Sequence, residues 1–193
     1  FHGSLSLTRG LDQLIYSVKI LKDRGLDDIR LIFIGYGQAK NDLSCLAGNL
    51  NICNQVMFFS AVSHEEIPGF IAMANLGFDP LPDNPWWRNQ SSLKVFEYLA
   101  MGKPVIATNI PCHQDISQAV LLTPDNSPQA LAEAVIRYRN LPEQAKDQLR
   151  EAALEDSQKY TWRARASTLA RFIQDELLRE PREPDCQEIN HRA

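Results

Sequence analysis

The sequence predicts an α/β protein, a doubly wound parallel sheet with helices on both faces. One observation is the run Ile29-Arg30-Leu31-Ile32-Phe33-Ile34, nearly continuous in apolar residues and closed by Gly35, the pattern of a strand buried on both faces. Another is the stripe Leu11, Leu14, Ile15, Val18 and Leu21 at helical spacing, stopped by Gly25. Such strands and helices alternate along the chain. That order specifies parallel strands joined by right-handed crossovers.

The remaining elements follow in sequence. A short helix through Leu43 and Leu46 leads to a strand at Val56-Met57-Phe58-Phe59. Ser63 and Glu66, three apart, form a capping box for a helix carrying Ile67, Phe70, Ile71 and Ala74. A strand at Leu76-Gly77-Phe78 runs into a turn-rich loop from Asp79 to Gln90 that holds Trp86 and Trp87. A helix then opens at Ser91 or Ser92, ends near Gly102, and delivers the strand Val105 to Thr108. Val120 to Leu122 is a further strand, and Leu131, Ala134, Val135 and Tyr138 mark another amphipathic helix. Two more helices are expected at 143–158 and 162–178, and 179–193, charged and Pro-rich around Pro181 and Pro184, reads as a disordered tail.

With 193 residues, 44% hydrophobic and 23% charged, the chain has the composition of a soluble globular protein with one substantial core. A net charge of -4 without a Lys/Arg cluster argues against nucleic-acid binding. Cys45, Cys53, Cys112 and Cys186 are too scattered for a metal or redox motif. They suit reduced thiols in a cytoplasmic protein, and no run reaches the ~18 apolar residues of a membrane span. The chain starts at Phe1, and Phe1-His2-Gly3-Ser4-Leu5 reads as the end of a strand. The expectation is therefore an excised domain, 1–178, with a partner domain upstream.

Ligands of such sheets bind outside the carboxyl ends of the strands, which directs attention to the segments just after each strand. The helix that opens at Ser92 offers unpaired backbone N–H groups to an anion, unless Ser92 is an ordinary N-cap. Lys94 and Glu97, three apart, face one side of that helix. They form either a surface ion pair or a nucleotide reader, with Lys94 on a phosphate and Glu97 accepting from two neighbouring sugar hydroxyls. Gly3 to Gly10 is a small-residue loop in which Arg9 stands near a helix start, where the dipole disfavours a cation. An anion explains it, and so does pairing with Asp12. Trp86 and Trp87 either cover a sugar or pack back on the domain. His64 and His113 have no partner in sequence and default to structural or solvent roles.

Two other doubly wound classes fit poorly. Gly35-Tyr36-Gly37-Gln38-Ala39-Lys40 lacks the third glycine of a dinucleotide fingerprint, and the strand ending at Ser60 lacks its acidic residue. A phosphoacceptor receiver needs acidic residues where Gly3-Ser4 and Ser60-Ala61 stand.

The segment Ser91-Ser92-Leu93-Lys94-Val95-Phe96-Glu97-Tyr98-Leu99-Ala100-Met101-Gly102-Lys103-Pro104-Val105 resembles the donor site of retaining glycosyltransferases of the group 1 type, also called family 4. The likeness extends in order through Gly3-Ser4-Leu5, Arg9-Gly10-Leu11-Asp12, Gly35-Tyr36-Gly37, the helix after His64, and Leu121-Leu122-Thr123-Pro124-Asp125. It implies a Rossmann-like half of a GT-B fold that binds a nucleoside diphosphate sugar, such as a UDP- or GDP-sugar, as substrate, with no cofactor and no metal. The acceptor, a glycan, lipid-linked or small molecule, would be held by an N-terminal domain absent from this chain. The implied setting is polysaccharide biosynthesis in the cytoplasm or at the inner membrane surface. The final helices would return toward the acceptor half and leave apolar positions exposed near Trp162.

By position, the resemblance assigns Glu97 to the ribose and the backbone N–H groups of Ser92, Leu93 and Lys94 to the diphosphate. Arg9 falls to the leaving phosphate, Gly3 and Ser4 to the phosphate loop, and Val62 with Ala61 to the base. Asn89 stands eight residues before Glu97, where the family's motif begins with Glu, and Ser4 stands where an Arg is frequent. A sugar-nucleotide epimerase half and a non-catalytic nucleotide-binding scaffold are the rival readings.

Overall fold

The computed structural model describes residues 1–178. The described chain divides into a compact unit, Phe1–Gln158, and a second segment from Lys159 onward. The expectation of a disordered tail at 179–193 lies outside the described residues.

In the first unit, a 3-10 turn at Leu7–Arg9 precedes α1 (Leu11–Asp23). Then come β1 (Leu31–Ile34), α2 (Lys40–Asn49), β2 (Val56–Phe59), α3 (Ile67–Met73), β3 (Gly77–Asp79) and α4 (Pro85–Arg88). They are followed by α5 (Leu93–Ala100), β4 (Val105–Thr108), β5 (Val120–Thr123), α6 (Pro128–Arg139) and α7 (Glu143–Ser157). All strand pairs are parallel. One ladder joins β1 to β2, and the segment Phe1–Leu5 runs beside β1, with the Gly3 N–H on the Ile34 carbonyl at 2.9 Å and the Leu5 N–H on the Tyr36 carbonyl at 2.8 Å. The other ladder has the order β3-β4-β5. The one sheet expected from sequence is thus seen as two hydrogen-bonded ladders over a shared core. The Tyr98 ring reaches both, 5.1 Å from the His2 ring and against Gly77, where a Cβ would lie 2.4 Å from the ring.

The core follows the apolar periodicities. Leu11, Leu14, Ile15, Val18 and Leu21 of α1 are buried with Leu131, Ala132, Ala134 and Val135 of α6. Each Leu, Ile or Val among them contributes about 1.5–3 kcal/mol by leaving water. α1 packs on α2 and α6, and α5 on α7, so helices form separate layers. Every residue of the central strand β4 is buried, which is why its sequence does not alternate.

Several boundaries moved for identifiable reasons. β1 begins at Leu31 rather than Ile29; just before it a turn at 27–28 intervenes, and the Arg30 guanidinium donates to the Asp27 and Ile29 carbonyls. β3 is shifted by one residue, so that Asp79 pairs with Ala107 inside the ladder. The helix expected to start at Ser63 starts at Ile67. Glu66 does accept from the Ser63 backbone N–H at 2.9 Å, but the Ser63 hydroxyl donates to the same carboxylate at 2.8 Å instead of capping a backbone N–H. The intervening residues form tight turns, and Pro68 supplies the fixed φ suited to a first helical turn.

Gly35 and Gly10 shape the ligand edge. Gly35 has φ 147°, and a Cβ there would lie 2.0 Å from the Gly3 carbonyl oxygen. Gly10 has φ 70°, and a Cβ would lie 2.4 Å from the Pro80 carbonyl oxygen. Only glycine allows both close approaches.

In the second unit, α8 spans Trp162–Leu178. Trp162, Leu169, Phe172, Ile173 and Leu177 are exposed on it.

Candidate functional site

The residues singled out in the sequence lie in the segments that follow the strands. α5 begins after the loop that follows β3, and Ser92 is its N-cap residue but makes no side-chain cap bond. The Ser92 hydroxyl instead lies 3.4 Å from Lys94 Nζ. The Ser92 side chain therefore does not cap the first-turn amides of α5, of which the Val95 N–H bonds the Ser92 carbonyl at 3.2 Å, and the positive end of the helix dipole faces the loop after β3.

Lys94 and Glu97 do not pair with each other. Lys94 Nζ lies 3.1 Å from Asp79 Oδ1, with the lysine side chain 11% exposed and the aspartate fully buried. The same ammonium sits 5.2 Å above the Phe1 ring centroid. Glu97 turns the other way. Its Oε2 is 3.4 Å from His2 Nε2, without hydrogen-bond geometry, and its Oε1 is 3.9 Å from His64 Nδ1. The His2 ring is buried, and burial first, then the positive charges at the Phe1 nitrogen and on Lys94, lower its pKa to about 4. It is a neutral ring at ordinary pH, whereas His64 is exposed beside the carboxylate.

Asp79 also holds His113. Asp79 Oδ2 is 3.0 Å from His113 Nε2, and His113 Nδ1 is 2.8 Å from the Thr108 carbonyl oxygen. Burial works against the charge on Asp79, but Lys94 and His113 outweigh it and hold the carboxyl down to about 2. Burial likewise opposes a charge on His113, and the hydrogen bond to Asp79 overrides it, raising the ring to about 10. A buried trio of one anion and two cations results.

Arg9 ends the 3-10 turn, and its guanidinium carbon stacks 4.8 Å from the Trp87 ring centroid. It makes no ion pair with Asp12, whose Oδ2 accepts from Gln13 Nε2 at 2.7 Å. Trp87 is buried with Leu81 and Ile110 and donates Nε1–H to the Thr8 carbonyl at 3.0 Å. Trp86 is 72% exposed. Trp87 thus packs back on the domain while Trp86 faces solvent, since neighbours on a helix point apart.

Gly3 and Ser4 are exposed at the end of the first strand segment, Val62 is half-buried after β2, and Leu93 and Asn89 are exposed around the start of α5. The structure therefore joins Ser92 with Lys94 and Glu97 with His64, and leaves Arg9 on Trp87. A cleft of about 590 Å³ opens nearby among Thr8, Gly10, Asn84 and Asn126. Leu7, Thr8 and Gly10 of the small-residue loop line it, with Asp12, but none of the residues assigned to the donor by position does.

Sequence reasoning missed Asp79 and gave His113 no partner. The available signal was an acidic residue at the very end of a buried strand, a costly place for a carboxylate without partners. Among the described residues, no group of three or more His, Cys, Asp or Glu side chains could hold a metal ion. No helix among them is long and apolar enough to cross a membrane.

Comparison with known proteins places this geometry. The α-D-kanosaminyltransferase of Streptomyces kanamyceticus is 26% identical over 172 residues, 87% of this chain and 43% of that protein. The catalytic domain of cholesterol-α-glucosyltransferase from Helicobacter pylori superimposes with a TM-score of 0.71 at 16% identity, covering 83% of this chain and 96% of that one. Anabaena Alr3699/HepE, solved in complex with UDP and glucose, gives a TM-score of 0.73 at 18% identity over 90% of this chain and 47% of its own. At such identities the superpositions show the fold alone, which is that of GT-B glycosyltransferase domains. The chain spans less than half the length of the kanosaminyltransferase. The profile of the family described as glycosyl transferases group 1 matches residues 1–156, more than three quarters of the sequence, and the chain therefore belongs to the group 1 glycosyltransferases.

Proposed function

We propose that this domain binds the nucleoside diphosphate sugar donor of a glycosyltransferase, and that the complete enzyme passes the glycosyl group, with retention at the anomeric carbon, to an acceptor hydroxyl. The observation that carries the reading is the divergence of Lys94 and Glu97. The lysine charge is drawn inward under the first turn of α5, and the glutamate is left facing out beside His64. In this reading the first-turn amides hold the diphosphate and Glu97 accepts from both ribose hydroxyls. Arg9 and the helix end stabilise negative charge on the departing nucleoside diphosphate, an electrostatic role that needs no proton transfer. Gly3, Ser4 and Val62 supply close backbone around phosphate and base, and Asn89 meets the donor sugar through an amide.

The solved complex of Alr3699/HepE with UDP and glucose supports a nucleotide-sugar donor for a protein of this fold. Because the chain covers less than half of that protein and of the kanosaminyltransferase, we assign acceptor binding to a further domain and expect donor binding without turnover from these residues alone. Asn89 and Ser4, which replace charged residues of the family pattern, favour a second reading as a non-catalytic nucleotide-binding scaffold.

Calorimetric titration with UDP, GDP and ADP tests the proposal. One nucleotide binding in the micromolar to millimolar range, and lost in Arg9→Ala and Glu97→Ala, supports a donor site. Absence of binding to all three rejects it for this chain. Transfer by an enzyme containing this domain separates the glycosyltransferase from the scaffold.

A further inference from the structure

His113 has no place in the donor site as described, yet its surroundings determine its charge. Both ring nitrogens face acceptors, the Thr108 carbonyl oxygen at 2.8 Å and Asp79 Oδ2 at 3.0 Å. A neutral imidazole has a single N–H to give, and a carbonyl oxygen has none. With Asp79 ionised, the ring can satisfy both contacts only by carrying two protons. The other Asp79 oxygen accepts from Lys94 at 3.1 Å.

Charge within the cluster does not cancel. One carboxylate faces two cations, and the side chains are 0% exposed for Asp79 and His113 and 11% for Lys94. Among the described residues, neither Lys94 nor His113 has an ion pair with a second carboxylate. An excess positive charge in a buried place is costly unless something compensates it. It lies beside Ser92 at the start of α5, where the uncapped amides add partial positive charge of their own.

We infer that His113 is a positioning residue whose fixed positive charge occupies half of Asp79, leaves Lys94 incompletely neutralised, and so tunes the start of α5 to the diphosphate of the donor rather than to its nucleoside. This rests on the donor-site reading given above. Replacing the ring by a neutral donor would leave Lys94 and Asp79 as a balanced pair, and the helix end would face the ligand with one charge fewer. The His113 side chain is fully buried. Its influence passes through Asp79 and through the field.

The test uses His113→Gln, which keeps an N–H for Asp79 and removes the charge. Wild type and variant are titrated with UDP, GDP and ADP and with uridine, guanosine and adenosine, at two salt concentrations. The diphosphate that wild type binds should lose about tenfold in affinity, equivalent to about 1.4 kcal/mol. Its salt dependence should become shallower, and affinity for the matching nucleoside should stay within about twofold. A merely structural role would weaken both ligands alike, and that outcome overturns the inference. Unchanged diphosphate affinity overturns it too, with the donor site intact. If wild type binds none of the diphosphates, the donor-site reading itself fails, and the inference with it. Should the variant not fold, the ¹⁵N shifts of the His113 ring in the wild-type chain at pH 8 decide the matter: an imidazolium is expected, and a neutral ring refutes the inference.

Discussion

Lys94 Nζ lies 3.1 Å from Asp79 Oδ1, so the ammonium one turn before Glu97 belongs to an inward carboxylate fifteen residues away. The i,i+3 spacing made a surface pair with Glu97 available, and the structure does not use it. The buried end of β3 outcompetes it, because a carboxylate with no water around it gains far more from a cation than an exposed one does.

Asp79→Asn should therefore be among the most damaging polar substitutions in the domain. It removes the only carboxylate of the trio, leaving Lys94 a buried cation facing an amide and His113 without the group that held its charge. Breaking such a pair costs about 3–5 kcal/mol. Urea unfolding should show the unfolding free energy falling by that amount, through a lower midpoint at an unchanged slope. A loss below about 1 kcal/mol, the scale of an exposed pair, would show that water reaches the cluster.

Stability should also depend on pH through the same residues. The folded state raises the His113 pKa from 6.5 to about 10, so its contribution is complete below pH 6.5 and is lost as pH rises through 10. Asp79 is held at about 2 instead of 3.8, so its contribution is complete above pH 3.8 and is lost as pH falls through 2. Urea midpoints of wild type should fall between pH 6.5 and 10, and those of His113→Gln should not follow this component. Parallel curves for the two proteins would mean that the ring is not charged in the fold.

Glu97→Ala tests the outward half of the arrangement. Among the described residues the carboxylate has no close hydrogen-bond donor, since His2 Nε2 stands at 3.4 Å without the right geometry and His64 Nδ1 at 3.9 Å. The substitution should leave thermal stability nearly unchanged and weaken nucleotide binding by about 1–3 kcal/mol, the worth of a charged hydrogen bond. Equal nucleotide affinity in calorimetry would remove Glu97 from the site.

Gly10→Ala should strain the ligand edge. The residue has φ 70°, and its Cβ would meet the Pro80 carbonyl oxygen at 2.4 Å and Asn126 Nδ2 at 2.7 Å. The left-handed conformation alone costs about 1–2 kcal/mol for a non-glycine residue, and a backbone oxygen cannot move aside as a flexible side chain would. The expected result is a lower melting temperature together with weaker binding of any ligand that relies on Arg9, its neighbour. A melting temperature equal to wild type would show that the Pro80 segment yields freely.

The sequence by itself determined the alternating α/β order, the core face of α1 and α6, the fully buried β4, and the helix whose first turn faces the ligand edge. These are local periodicities, written in residues a few positions apart. It also placed the candidate residues just after strand ends, because strand ends in a parallel sheet converge wherever the intervening helices go. The tertiary structure decided the pairings: Asp79 with His113 across 34 residues, Trp87 with Thr8 across 79, and Lys94 with Asp79 instead of Glu97. No spacing encodes them, since each depends on which side chains two distant elements bring together. For the charged residues the deciding quantity was burial, which turns a weak surface pairing into a required one and exists only once the chain has packed.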